Sequence, residues 1–181
     1  MLIRRLADCP EVPWRNGAGT TRELYLADAL RITVASERSE AQFSDFSGWS
    51  RTIVPLGDGL SLLLGERREV KIPALSAFAF SGSERVRARL AAGPIDAFNI
   101  MTRDGTLSHR AISLPLAAPR AEEISAIALF LLRGTLSLGN EALAAGTFAF
   151  AEGRDECANL ARITLPPEAF ALAFSVERKH G

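Results

Sequence analysis

The densest polar cluster in the chain is Trp14-Arg15-Asn16-Gly17-Ala18-Gly19-Thr20-Thr21-Arg22-Glu23. Gly17 and Gly19 permit backbone angles closed to other residues, and Asn16, Thr20 and Thr21 can bond the nearby backbone to hold a tight loop. A phosphate cradle would need a helix next, with its N-terminus on the anion, and a Gly-Lys-Ser/Thr ending. Neither is present, because Glu23-Leu24-Tyr25-Leu26 alternates as a strand does. Two readings stand: a structural turn into the first strand, or a wall of a ligand pocket built from Trp14, Asn16, Thr20 and Thr21.

Metal and nucleophile chemistry are poorly supplied. The chain has two histidines, His109 and His180, and the second precedes the last residue. Neither has a carboxylate or Cys at ligand spacing, so no metal and no other cofactor is expected. A Ser-His-acid triad needs a His base, and His109 sits between Ser108 and Arg110 in what reads as a surface loop. Cys9 and Cys157 have no His partner in sequence to lower a thiol pKa and read as reduced thiols. No catalytic residue is singled out, although carboxylates acting alone remain an open alternative.

Small-ligand binding passes this filter better. Gln42-Phe43-Ser44-Asp45-Phe46-Ser47-Gly48-Trp49-Ser50-Arg51 sets aromatics beside one Arg at the start of a predicted strand. Arg51 is suited to pair with a carboxylate through its planar fork, with Phe46 as an apolar wall. In Ala97 to Arg103, Asn99, Met101 and Arg103 share one face, opposite Phe98 and Ile100. The plainer reading leaves Arg51 and Arg103 solvated and Asn99 satisfying a bulge.

Strands must position these groups. Short apolar runs recur between Gly, Asp, Ser and Pro, which favours an all-β chain. Arg31 to Ser36 alternates, with Ile32 and Val34 on one face and Arg31, Thr33 and Ala35 on the other. Thr52 to Leu56 and Leu60 to Leu64, joined by Gly57-Asp58-Gly59, predict a hairpin. Ser125 to Arg133 reads as a strand buried on both faces, although its length alone also permits a buried helix. An internal echo links Phe78-Ala79-Phe80 to Phe148-Ala149-Phe150, each with a Leu 12 positions after its first Phe. Upstream of each lie a Gly and an alternating run, Gly59 to Leu62 and Gly134 to Leu138. Two similar halves are expected, residues 1–110 with the pocket and 111–181, crossing between them near Pro115 and Pro119.

Composition bounds the partners. A hydrophobic fraction of 48% excludes a disordered chain, and a formal net charge of zero leaves no bulk excess for binding phosphate backbones. No segment approaches the roughly 20 apolar residues of a membrane span. Neither nucleic acid nor membrane is therefore expected, and the expected compartment is the cytoplasm.

Several segments in order resemble the HutD/Ves family. Trp14 to Glu23 is similar to the family's opening motif, with Arg15 for Lys and Ala18 for the middle Gly. Phe43 to Arg51 is similar to its Phe-Ser-X-Phe-Pro-Gly segment, with Ser47 where Pro is usual. Phe78 to Gly82, Gly93-Pro94 and Asp96 to Arg103 follow in order, so the likeness covers residues 1 to about 110 well. It implies a bicupin, two jelly-roll or cupin-like β-barrel halves, without the His-X-His pair of metal-binding cupins. It also implies a non-enzymatic protein that binds a carboxylated metabolite of histidine degradation, such as formylglutamate, and modulates histidine utilisation. The alternatives are a metal-free cupin enzyme acting on a small acid, or a Ves-like stress-associated protein. Cupin-like sheets pair between subunits, so a homodimer is compatible with the resemblance.

Overall fold

The computed structural model describes residues 1–90, 93–115 and 124–179. The chain divides into two compact units, Pro10–Thr106 and Met1–Cys9 with Leu107–Gly181. Strand β1 (Leu2–Arg5) pairs along β15 (Thr147–Glu152), Leu2 opposite Phe150. The first nine residues thus belong with the C-terminal unit, whereas the expected N-terminal half began at residue 1. Part of the expected crossing, including Pro119, lies outside the described residues.

The unit 10–106 contains a six-stranded sheet and a three-stranded one. The larger runs in the order β2 (Glu11–Pro13), β3 (Gly19–Ala27), β4 (Leu30–Glu37), β10 (Ile95–Arg103), β5 (Trp49–Pro55), β8 (Phe78–Ser81). The smaller runs β7 (Arg68–Ile72), β6 (Leu60–Leu64), β9 (Val86–Arg89). Leu60, Leu62 and Leu64 of β6, Ile72 of β7 and Val86 and Ala88 of β9 share one apolar cluster with Ile53, Phe80, Ile95 and Ala97 of the large sheet. Period-two alternation creates this packing, because each of these strands sends every second side chain to one face.

The hairpin expected between β5 and β6 does not form. β5 pairs with β10 and β8, while β6 pairs with β7 and β9, so Gly57-Asp58-Gly59 carries the chain from one sheet to the other. Burying Ile53 with Leu60, Leu62 and Leu64 in one cluster requires the strands to face each other rather than lie edge to edge.

The other unit has β11 (Leu107–Ala111), β16 (Phe170–Arg178), β12 (Ala126–Arg133), β15 and β1 in one sheet, with β13 (Thr135–Leu138) and β14 (Glu141–Ala144) in another. β12 is buried along most of its length, as its apolar run requires. His109 lies on β11 opposite Val176 and edge-on to Phe174, not in a surface loop. Burial pulls its imidazole down to about 4. Cys9 and Cys157 are both buried, and burial pushes the Cys157 thiol up.

The two units share a strand plan. β5 lies between β8 and β10 and is followed by the β6–β7 hairpin; β12 lies between β15 and β16 and is followed by the β13–β14 hairpin. The sequence echo is nevertheless out of phase with this plan. Phe78 and Phe80 pack against the first unit's cluster, whereas in the second unit Ala149 and Ala151 do so and Phe148 and Phe150 do not. After the second echo the expected turn is helix α1 (Arg154–Ala161), which buries Cys157, Leu160 and Ala161 at helical spacing. Asp155 and Glu156 favour its N-terminus.

Among the described residues none of the four sheets closes on itself, so the barrels expected for each half are replaced by facing open sheets. No helix of the described residues is long and apolar enough to cross a membrane.

One glycine shapes the loop before β5. The Phe46 amide donates to the Gly82 carbonyl at 2.9 Å and the Gly82 amide to the Trp49 carbonyl at 2.7 Å. A Cβ on Gly82 would overlap the Phe46 carbonyl oxygen and lie 2.8 Å from that of Trp49. Gly82→Ala should cost about 2 kcal/mol and lower Tm by about 4–8 °C. Gly57→Ala, where a Cβ meets open space, should stay within about 0.5 kcal/mol of the parent in the same thermal scans.

Candidate functional site

The register of the large sheet assembles one face from four strands. Met101 of β10 lies opposite Arg31 of β4 on one side and Arg51 of β5 on the other, and Arg51 lies opposite Phe80 of β8. The next row along the same face holds Thr33, Asn99 and Ile53. Two rows further Glu37 lies opposite Ile95, with Gly19 of β3 on its other side. Because side chains repeat every two residues, Arg31, Thr33, Ala35 and Glu37 all project from β4 to this face.

Two loops wall the face. In the first, the Trp14 amide donates to the Gly19 carbonyl at 2.9 Å and the Ala18 amide to Asn16 Oδ1 at 3.1 Å, with Gly17 at φ +69°. The Trp14 indole Nε1 donates to Thr21 Oγ1 at 2.7 Å, which fixes the ring against β3. Gly19 has no room for a side chain, since a Cβ would lie 2.5 Å from the Ser36 carbonyl oxygen and 3.1 Å from the Trp14 ring. The second wall is the segment between β4 and β5, held through a Gln42–Arg87 bridge and the Phe43 amide on the Val86 carbonyl. Together they enclose a cavity of about 500 Å³.

Its electrostatics are unusual for an interior. Arg51 is 7% exposed, and its Cζ stands 4.8, 5.2 and 5.3 Å from the ring centres of Phe80, Phe46 and Phe43. Nη1 reaches the Ser44 carbonyl at 3.4 Å, while the buried Nε has no hydrogen-bond partner among the described residues. Burial pulls the guanidinium down to about 10, with Glu37 opposing and Arg31 adding to the shift; it stays charged at neutral pH. Arg31 also leaves a buried Nε without a partner among the described residues, and its Cζ lies 5.4 Å from the Phe46 ring centre. Glu37 is 1% exposed with an unpartnered Oε2, and burial pushes its carboxyl up to about 7 against the attraction of Arg51.

Of the residues singled out from sequence, Trp14, Asn16, Thr21, Phe46, Arg51, Asn99 and Met101 line this cavity. Two do not. The Thr20 hydroxyl instead donates to Glu11 Oε1 at 2.5 Å, because its neighbour Thr21 takes the inward position. Arg103 stacks over Trp49 at 4.9 Å and donates to the Asp28 carbonyl at the exposed end of β10. Sequence reasoning missed Glu37 and Arg31. Continuing the β4 alternation one residue beyond Ser36 would have brought in Glu37. Among the described residues no cluster of three or more His, Cys, Asp or Glu side chains could hold a metal ion.

Fold and site define a mostly β protein of two paired-sheet units, one of which encloses an arginine-floored cavity. The chain belongs to the HutD family: the family model described as HutD matches residues 6–166. It is 34% identical over 107 residues to an uncharacterised 21.2 kDa protein in the hutC 3′ region of Pseudomonas putida, covering 55% of this chain and 56% of that protein. It is 36% identical over 98 residues to Protein Ves of Escherichia fergusonii, covering 50% and 51%. The matches thus span about half the length of these relatives. HutD from Pseudomonas fluorescens SBW25 superposes with a TM-score of 0.77 at 19% identity over 99% of both chains. A conserved protein of unknown function from Pseudomonas aeruginosa PAO1 superposes with a TM-score of 0.79 at 27% identity, over 97% of this chain and 98% of that one.

Glu37 makes stability depend on pH. Its carboxyl ionises near 4.5 when free and near 7 in the fold. Between these values the folded state holds the extra proton, so the contribution is complete below the lower value and lost as pH rises through the upper one. Glu37→Gln should therefore gain about 2–3 kcal/mol relative to wild type between pH 5 and pH 8. Urea unfolding at the two pH values measures it; a constant difference would mean that Glu37 does not titrate in this range.

Proposed function

We propose that this protein binds a small carboxylated metabolite in the cavity of the 10–106 unit and acts as a sensor rather than a catalyst. The observation that carries the reading is the Arg51 guanidinium, buried under three phenylalanine rings with no ion pair among the described residues. A desolvated guanidinium pairs with a carboxylate through two parallel hydrogen bonds, and the surrounding rings leave that as its main recognition chemistry. Met101 separates Arg51 from Arg31 on the sheet, so two positive charges flank one apolar side chain. Asn99, Thr33 and Gln42 supply neutral hydrogen-bonding groups around them.

Kinship with a protein encoded in a hutC region supports drawing the ligand from histidine degradation, with formylglutamate as the first candidate. In this reading the protein modulates histidine utilisation in the cytoplasm, and the shared strand plan of its units reflects a duplicated, bicupin-type ancestor. A second reading has one observation in its favour. A cavity carboxylate that ionises near pH 7 is tuned for a general base, as a metal-free enzyme acting on a small acid would need. Exchange of a bound acid's C–H protons with deuterated water would reveal that activity.

Thermal unfolding against urocanate, formylglutamate, glutamate, formate and histidine tests the first reading. A ligand at about 100 times its Kd adds about 2.7 kcal/mol, a rise of about 5–10 °C for a chain of this size. Arg51→Lys keeps the charge but loses the fork, and Arg51→Ala loses both. Each should weaken the responding acid at least tenfold, about 1.4 kcal/mol. No response to any of the five, or unchanged affinity in both variants, would remove the carboxylate reading.

A further inference from the structure

Glu37 has no part in a site that only captures a carboxylate. It lines the same cavity as Arg31 and Arg51, is 1% exposed, and turns an Oε2 without a hydrogen-bond partner among the described residues toward no solvent. It does not neutralise either arginine through an ion pair within 4 Å among the described residues. As a carboxylate it would repel an incoming anion; as a neutral acid it presents an O–H donor to the same space.

We infer that Glu37 is the second anchor of the pocket, taking up a proton as an anion docks on the arginines and donating it in a hydrogen bond to a second oxygen of the ligand. The ligand class is therefore a small acid bearing a second carbonyl-type acceptor, a carboxylate or an amide oxygen, rather than a simple monoacid. The inference rests on the carboxylate-binding reading.

The groups facing Glu37 leave it as the titrating member near neutral pH. Arg31 shares its strand face, Arg51 projects from β5, and Arg15 lines the same cavity from the loop before β3. All three present guanidinium groups. From β3 and β10 the residues opposite it are Gly19 and Ile95. Glu11, Ser36 and Asp96 are engaged at exposed positions, with Arg22, Arg38 and Thr20 on Glu11, and Ser36 on Asp96. An anion beside a carboxyl already ionising near 7 raises its pKa further, so binding draws in up to one proton from the buffer.

Calorimetry with glutarate, a diacid ionised over the whole range, and with the monoacid butyrate reads this directly. Between pH 6.5 and pH 8 wild type should lose roughly tenfold in glutarate affinity, and titrations in buffers of different ionisation enthalpy should show proton uptake at pH 8. Glu37→Gln keeps a donor but cannot ionise. It should abolish both the pH dependence and the uptake, and bind glutarate roughly tenfold more tightly than wild type at pH 8. A merely structural glutamate would not give a tighter-binding variant. Butyrate should bind more weakly than glutarate to both proteins. Glutarate binding that is flat with pH, without proton uptake and equal in the two proteins would overturn the role of Glu37 and leave carboxylate capture standing. If neither acid binds wild type at any pH, the capture reading itself falls, and this inference with it.

Discussion

A charged guanidinium buried among aromatic rings is the constraint around which the first unit is organised. Arg51 is largely buried and has no carboxylate within ion-pair distance among the described residues, so its charge rests on the faces of Phe43, Phe46 and Phe80 and on one long contact to the Ser44 carbonyl. The three rings come from two places. Phe80 is delivered by register on β8, and Phe43 and Phe46 by the segment that leaves β4 and is tied to Val86 and Gly82. Cation–π contacts of this kind are worth more when desolvated, about 2 kcal/mol or more each, and they do not replace the hydration lost. Loop anchoring, the tight Gly82 contact and the Trp14–Thr21 bond are what keep this arrangement closed.

The second unit shows what the same strand plan looks like without that constraint. Its central strand β12 turns Ile127, Leu129 and Leu131 to the inner face, where β5 turns Arg51 and Ile53. Against them pack Leu136, Leu143 and the buried side of α1, all aliphatic or small. The Phe-X-Phe pair of β15 is out of phase with that of β8, so alanines rather than phenylalanines face this core. The topology repeats; the polar face does not.

Much of this was legible in the residues, for definite reasons. The alternation in Arg31 to Ser36 and in Ala97 to Arg103 separates a polar face from an apolar one, and a period of two admits only one assignment of each side chain. Seven of nine candidate residues meet in one cavity because Trp14, Phe46 and Arg51 sit in segments too polar and too aromatic for plain core. What could not be read was tertiary. Gly57-Asp58-Gly59 has the composition of a hairpin turn, and only the burial of β6 opposite Ile53 makes it a crossing between sheets. Thr20 and Thr21 are alike in type, and which one faces inward depends on the pairing of β3 with β2. α1 is eight residues of low apolar content, below the length at which helical periodicity is evident.

Glu37 and Arg51 also bear on why the site exists. Burying a carboxyl that is forced toward neutrality, beside a guanidinium with an unpartnered Nε, lowers the stability of the folded chain. Nothing in the strand plan demands it, since β12 and its neighbours fill the corresponding face with Ile, Leu and Ala. An apolar face is thus available to this architecture, and the first unit departs from it with Arg31, Glu37 and Arg51 lining one cavity, each with a buried polar atom that has no hydrogen-bond partner among the described residues. On the proposed reading, residues that cost stability in a fold that accepts apolar ones are accounted for by the acid they would bind. The charge pattern would then divide the ligand: positive charge for one end of an acid, and a protonatable oxygen for the other.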